Sequence, residues 1–336
     1  MEENFENWNE TAPLPDLEAE LKKIRRNLRK RNILIVLTSL VLAVAVCFMA
    51  VRFAIPALEK RYWDPNAQTY CEFTNDLSLA LVAYSELFAP SQVVDHAYGT
   101  RTGFATYSIY ISQWGLATQN DRQSDTATLE KGQLSLPAGF WEYCAINSFE
   151  RAGYPDYYND ESFHANARAD LERLPDYILV EAAVSFPEDK SMTQIAQLQE
   201  SLEEGFLEWV AVRTCSMDHQ LYPLMGIKPY VGGLILEEMN EHYPYFDIKL
   251  NEDPEYFDDH FKSLLQFSLD QLESGTGIDR VNYAERNQYE EALAYVEENG
   301  VYSYGAYIIA PASELLELLD NGTASQIWAQ NAWIDF

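Results

Sequence analysis

The chain has 336 residues, of which 47% are hydrophobic and 13% aromatic, and a formal net charge of −30. That length accommodates about two domains, and that composition buries a core, which excludes a disordered polyampholyte. The balance of 53 Asp and Glu against 23 Lys and Arg excludes DNA or RNA as a direct ligand, because such binding needs a basic face that displaces counterions.

The charge is unevenly placed. Residues 1–20 carry seven acids and no base, whereas Lys22, Lys23, Arg25, Arg26, Arg29, Lys30 and Arg31 fall within ten positions. The first 31 residues therefore cancel, and the other 305 carry the whole −30. Pro13 and Pro15 divide this N-terminal tail. Before them, Phe5 and Trp8 are large apolar side chains in an acidic stretch. After them, Asp16 is a candidate helix cap, and Leu17, Leu21, Ile24 and Leu28 follow at helical spacing on one stripe. Two readings stand open. The stripe belongs to a helix that continues into a membrane and rests on lipid or a second copy. Alternatively, with Phe5 and Trp8, it forms a helix-in-groove recognition element for a partner.

From Ile33 to Val51 no residue is charged. A helix of that length covers about 28 Å, close to the hydrocarbon thickness of a bilayer. Residues 32–56 are expected to span the membrane, with Lys60, Arg61, Tyr62 and Trp63 at the far interface. A cleaved signal peptide fits poorly, since 31 residues precede the run and the run is too long. The seven bases lie before the span, which predicts residues 1–31 on the cytoplasmic side and the body outside. The same bases face anionic lipid.

Beyond the span, residues 66–89 read as an amphipathic helix ended by Pro90, and 106–112 (TYSIYIS) as a half-buried strand. WEYCAINSF, 141–149, is apolar and reads as either strand or helix. A boundary or linker is expected at about 151–174, separating a region 57–165 from a domain 170–336. In the latter, YILVEAAVSF places Ile178, Val180, Ala182, Val184 and Phe186 on one strand face. A helix over 191–205, the strand LEWVAVRTC, a third strand or a turn into a helix at KPYVGGLILEE, two helices at 253–273 and 282–298, and a closing strand–helix–strand follow. Strands mixed irregularly with helices predict an α+β fold behind a single N-terminal transmembrane helix.

The search for chemistry finds no nucleophile elbow, phosphate-binding loop, dinucleotide fingerprint or zinc-protease motif. Asp258, Asp259 and His260 are adjacent and read as a solvated acidic face, because neighbours on a helix do not converge on one point. Cys71, Cys144 and Cys215 allow at most one disulfide and read as small buried residues. The sequence thus predicts no catalytic group, cofactor or metal site.

Four features resemble the sigma factor regulator family. They are LKKIRRNLRKR running into the span, YWDPN at 62–66, PDYILVEAAVSFPEDKSMTQI followed by FLEWVAVRT, and the closing YGAYIIAPASELLELL. The resemblance covers the span and about 170–336, and 60–150 only loosely. It implies a bacterial single-pass membrane anti-sigma factor. Its cytoplasmic tail would hold an extracytoplasmic-function sigma factor, and its external part would report envelope state. A tail of 31 residues would have to fold on its partner, at an ordering cost of roughly 2–5 kcal/mol, and a second membrane protein is a candidate to share the contact. An external ligand-binding or adhesion module is the alternative reading, and an anchored envelope enzyme a weaker one.

Overall fold

The computed structural model describes residues 17–72, 74–115, 122–137, 149, 167–216, 223–229, 241–246, 254–273 and 284–334. Phe5, Trp8, Cys144 and nearly all of the 141–149 segment lie outside these residues. The chain divides into two compact units, Met1–Arg61 and Tyr62–Phe336.

In the first unit, α1 (Leu17–Met49) runs through a π-helical turn (Ala50–Ala54) into α2 (Ile55–Glu59). Pro56 explains the change of register. It has no N–H to give the carbonyl four residues back, so the ladder is carried by wider bonds such as Ile55 N–H to Ala50 O. The helical segment Ala19–Glu59 is long and apolar enough to cross a membrane, and none of its most apolar stretch is buried by protein. Leu34 and Leu42 are 62% and 66% exposed. A bare apolar rod of this length marks a surface made for lipid or for another chain.

The second unit is α+β with two antiparallel sheets. Its first helix, α3 (Asp76–Phe88), is shorter than the 66–89 pattern implied, because Asn75 caps it by accepting from Ser78 N–H at 2.8 Å. Nor is it amphipathic. All thirteen of its residues are buried, and the complete burial of side chains such as Leu77, Leu81 and Phe88 contributes about 1.5–3 kcal/mol each.

The first sheet has the order β1 (Gln92–Gly103), β2 (Thr106–Gly115), β3 (Arg122–Glu130), β4 (Gln133–Ser135). Lys131 and Gly132, both at positive φ, make the two-residue turn between β3 and β4. One face is apolar, with Ile109, Ile111, Ala127 and Leu129 in the core. The half-buried strand expected at 106–112 is β2.

The second sheet is built from β5 (Ile178–Ser191), β6 (Phe206–Val212), β7 (Met225–Ile227), β8 (Tyr302–Pro311) and β9 (Gln326–Ile334), in the order β7-β6-β8-β5-β9. Helix α4 (Met192–Ser201) starts at a capping box of Ser191 and Gln194. It is followed by α5 (Phe257–Glu273), α6 (Arg286–Asn299) and α7 (Ala312–Asp320). Val180, Ala182, Val184 and Phe186 join the main core together with α3 and the inner face of the first sheet. The other face of β5 is covered too. Ala183 packs in a second cluster with Phe149, Trp209, Tyr304 and Tyr307, where Phe149 meets both tyrosines edge-on at 5.4 and 5.3 Å. Of the expected linker, residues 167–174 are described, and Leu171 there is 1% exposed within the main core.

Candidate functional site

Two places in the chain gather the side chains with functional potential. The first is the N-terminal part of α1. Leu21, Ile24 and Leu28 are 46%, 53% and 51% exposed, and their spacing keeps them on one stripe of a continuous helix. Leu17 begins that helix. Lys22, Lys23, Arg25, Arg26, Arg29, Lys30 and Arg31 all lie on α1 and are exposed. The segment therefore offers an apolar stripe flanked by guanidinium and ammonium groups, immediately before the uncharged run.

The second place is a buried polar seam at the C-terminal end of α3, where the chain turns into β1. Four side chains, Glu181, Trp209, Lys228 and His260, fasten this turn to the second sheet and to α5. Glu86 Oε1 lies 2.7 Å from His260 Nε2, and the other ring nitrogen of His260 lies 2.8 Å from the Tyr245 carbonyl. Both neighbours of the imidazole are oxygen acceptors, so the Glu86–His260 pair must hold one proton between its members beyond the one given to Tyr245. The Glu86 carbonyl accepts from Trp209 Nε1 at 2.7 Å. Lys228 Nζ, from the end of β7, donates to the carbonyls of Ala89, Pro90 and Gln92. Ser91 Oγ donates to Glu181, whose other carboxylate oxygen accepts from Asn331 Nδ2 at 2.7 Å.

The electrostatics of the seam follow from burial. Desolvation lowers Lys228 to about 7, although the negative charges of Glu208 and Glu86 favour its ammonium form. Glu208 is 1% exposed, and neither of its carboxyl oxygens has a hydrogen-bond partner among the described residues. Burial pushes its carboxyl well above the usual range, the charge of Glu181 adds to the effect, and Lys228 opposes it. Burial thus favours the neutral form of Glu208, next to a Glu181 carboxylate group that accepts from both Ser91 and Asn331.

His260 corrects the expectation of a solvated acidic face over 258–260. Its side chain is 1% exposed and bonded on both sides. Asp258 is turned partly inward, with its carboxylate 3.4 Å from Val301 N–H, and burial raises its pKa. Cys71 is buried and Cys215 half-buried, and neither is in a disulfide. Among the described residues no group of three or more His, Cys, Asp and Glu converges as a metal site.

Sequence reasoning missed the seam. Lys228, Glu208, Glu181 and Glu86 read as surface charges one at a time. The available signal was local, since Lys228 stands in an apolar, Pro- and Gly-rich run (LMGIKPYVGG) with no acid in it. Residues 171–326 match the family model described as sigma factor regulator C-terminal. No curated protein and no solved structure matches the chain. The matched segment contains Glu181, Glu208, Lys228 and His260, and α3, which precedes it, plugs into its core through the seam.

Proposed function

We propose that the chain is a membrane-bound anti-sigma factor, a reading supported by the match of residues 171–326 to the sigma factor regulator C-terminal model. Its N-terminal segment holds an extracytoplasmic-function sigma factor on the cytoplasmic side, and its acidic body outside reports the state of the envelope. The family match is the observation that carries this reading. Three further features support it. The one helix long and apolar enough to span a bilayer among the described residues is near the N-terminus. Seven bases precede its uncharged run, as the positive-inside rule requires for a cytoplasmic tail. The stripe of Leu21, Ile24 and Leu28 has no cover of its own.

In this reading the protein acts by binding, not by catalysis. The partner face combines Phe5 and Trp8 with the α1 stripe, and the basic residues rest against anionic lipid. The test is capture by the full chain in lipid nanodiscs from a panel of purified extracytoplasmic-function sigma factors. One member should be retained, and Phe5→Ala with Trp8→Ala should weaken retention by tenfold or more, given about 1.4 kcal/mol per decade. Retention of no member would sink the reading.

A further inference from the structure

The outer face of the first sheet differs in chemistry from the rest of the body. His96, Tyr98 and Tyr110 form a cluster of rings on β1 and β2, with centroids 6.2 Å (His96–Tyr98), 5.1 Å (Tyr98–Tyr110) and 6.1 Å (His96–Tyr110) apart. The ring planes of His96 and Tyr98 are nearly parallel, at 7°, and Tyr110 is tilted by 33° from Tyr98. Tyr98 is 46% exposed. Asp95 sits at a bulge beside the platform and holds the His96 ring through Nδ1 at 2.9 Å.

Strand register sets hydroxyls beside these rings. Tyr98 faces Tyr110, which faces Thr126, and Thr100 faces Ser108, which faces Thr128. Those two rows contain no charged side chain, in a protein whose net charge is −30. They also contain no aliphatic side chain of the kind that forms the centre of a protein–protein contact.

The free edge of β1 is closed as well. Asn66 both donates to and accepts from the backbone of Gly99 at 2.8 Å, and Ser78 does the same for Ala97. Asn75 adds a second donor to the Ala97 carbonyl at 2.8 Å. A peptide therefore finds no row of unpaired backbone groups to extend there.

We propose that this face binds a neutral glycan chain. Flat aromatic surface takes the apolar C–H face of a sugar ring, and neutral hydroxyl donors and acceptors match its equatorial hydroxyls. An anionic polymer is repelled by the surrounding acidic body, and a neutral one is not. The proposal supplies a ligand class for the body and stands independently of sigma-factor capture, which its test does not measure.

The experiment titrates the full chain, in nanodiscs free of sugar detergents, with N-acetylglucosamine hexamer and with cellohexaose by calorimetry. At least one hexamer should bind saturably. Tyr98→Ala and Tyr110→Ala should each weaken binding about tenfold, while Tyr98→Phe and the distant surface variant Tyr177→Ala should leave it unchanged. Circular dichroism checks that the variants keep the fold. Absence of saturable binding to both hexamers overturns the proposal, as does equal binding by folded Tyr98→Ala and Tyr110→Ala. Preference for an anionic polymer such as polygalacturonate overturns it too.

Discussion

At Lys228 an ammonium group with three protons meets three carbonyl oxygens, those of Ala89, Pro90 and Gln92. Lys228→Met leaves all three acceptors dry, and an unsatisfied buried acceptor costs roughly 1–3 kcal/mol. Some of that is offset by removing a desolvated charge, so a net loss of about 2–4 kcal/mol is expected in the urea midpoint followed by tryptophan fluorescence. The pH response has a definite sign. Because burial lowers Lys228 from 10.5 to about 7, the unfolded chain binds a proton between those values that the folded chain does not. This group's contribution to stability therefore rises with pH from about 7 to 10.5 and is flat below. The stability gap between the native chain and Lys228→Met should widen in favour of the native chain from pH 7 to pH 10, and a constant gap would contradict the assignment. Gly226 gives a second test, since a Cβ there would collide with both the Trp209 ring and the Val210 carbonyl oxygen. Gly226→Ala should cost about 3 kcal/mol, because a backbone oxygen cannot step aside. Neither residue was legible in the sequence. A single lysine or glycine carries no periodicity; Lys228 is bonded to Ala89 and Pro90, more than a hundred residues away in the chain, and Gly226 is crowded by the neighbouring strand at Trp209 and Val210.

Elements were legible where local signals and burial agree. Apart from the short β7 at Met225–Ile227, which was not expected, the second sheet and its helices follow the expected order because long apolar runs alternate with caps, as at Ser191 and Gln194 before α4. The first sheet was mostly hidden. Its β1 (QVVDHAYGTRTG) and β3 (RQSDTATLE) each carry Thr, Gly or charge on the outer face, and only β2 alternates cleanly enough to be read alone. Helix α3 was drawn too long because its start depends on the Asn75 cap and not on composition. The long apolar N-terminal helix was the plainest element of all, yet its π-helical turn at Ala50–Ala54 follows from Pro56 and is read only in retrospect. A topology prediction belongs to this scale. Replacing the seven bases from Lys22 to Arg31 by Gln removes the asymmetry on which the proposed orientation rests. A substantial fraction of the chain should then insert with its body reversed, as measured by protease protection of residues 62–336 in sealed vesicles. Unaltered orientation would contradict the role given to the cluster.

Across the whole molecule, neutral and acidic parts are separated along the chain. The first 31 residues sum to zero, and everything after them carries −30. In the proposed topology the negative charge is outside, the bases sit against the inner leaflet, and one helix connects the two sides. The body's α3 is sealed into the segment that matches the sigma factor regulators, so the part of the body before residue 171 shares a core with the part after it. The most direct measurement is the partition of the captured sigma factor between membrane and cytosol in cells making the full chain. The sigma factor should sediment with the membrane in cells with the native chain. It should return to the cytosol when Leu21, Ile24 and Leu28 are changed together to Asp, with the chain itself still in the membrane. A sigma factor that stays in the cytosol with the native chain, or remains at the membrane with the triple variant, would contradict a membrane-tethered anti-sigma factor acting through this helix.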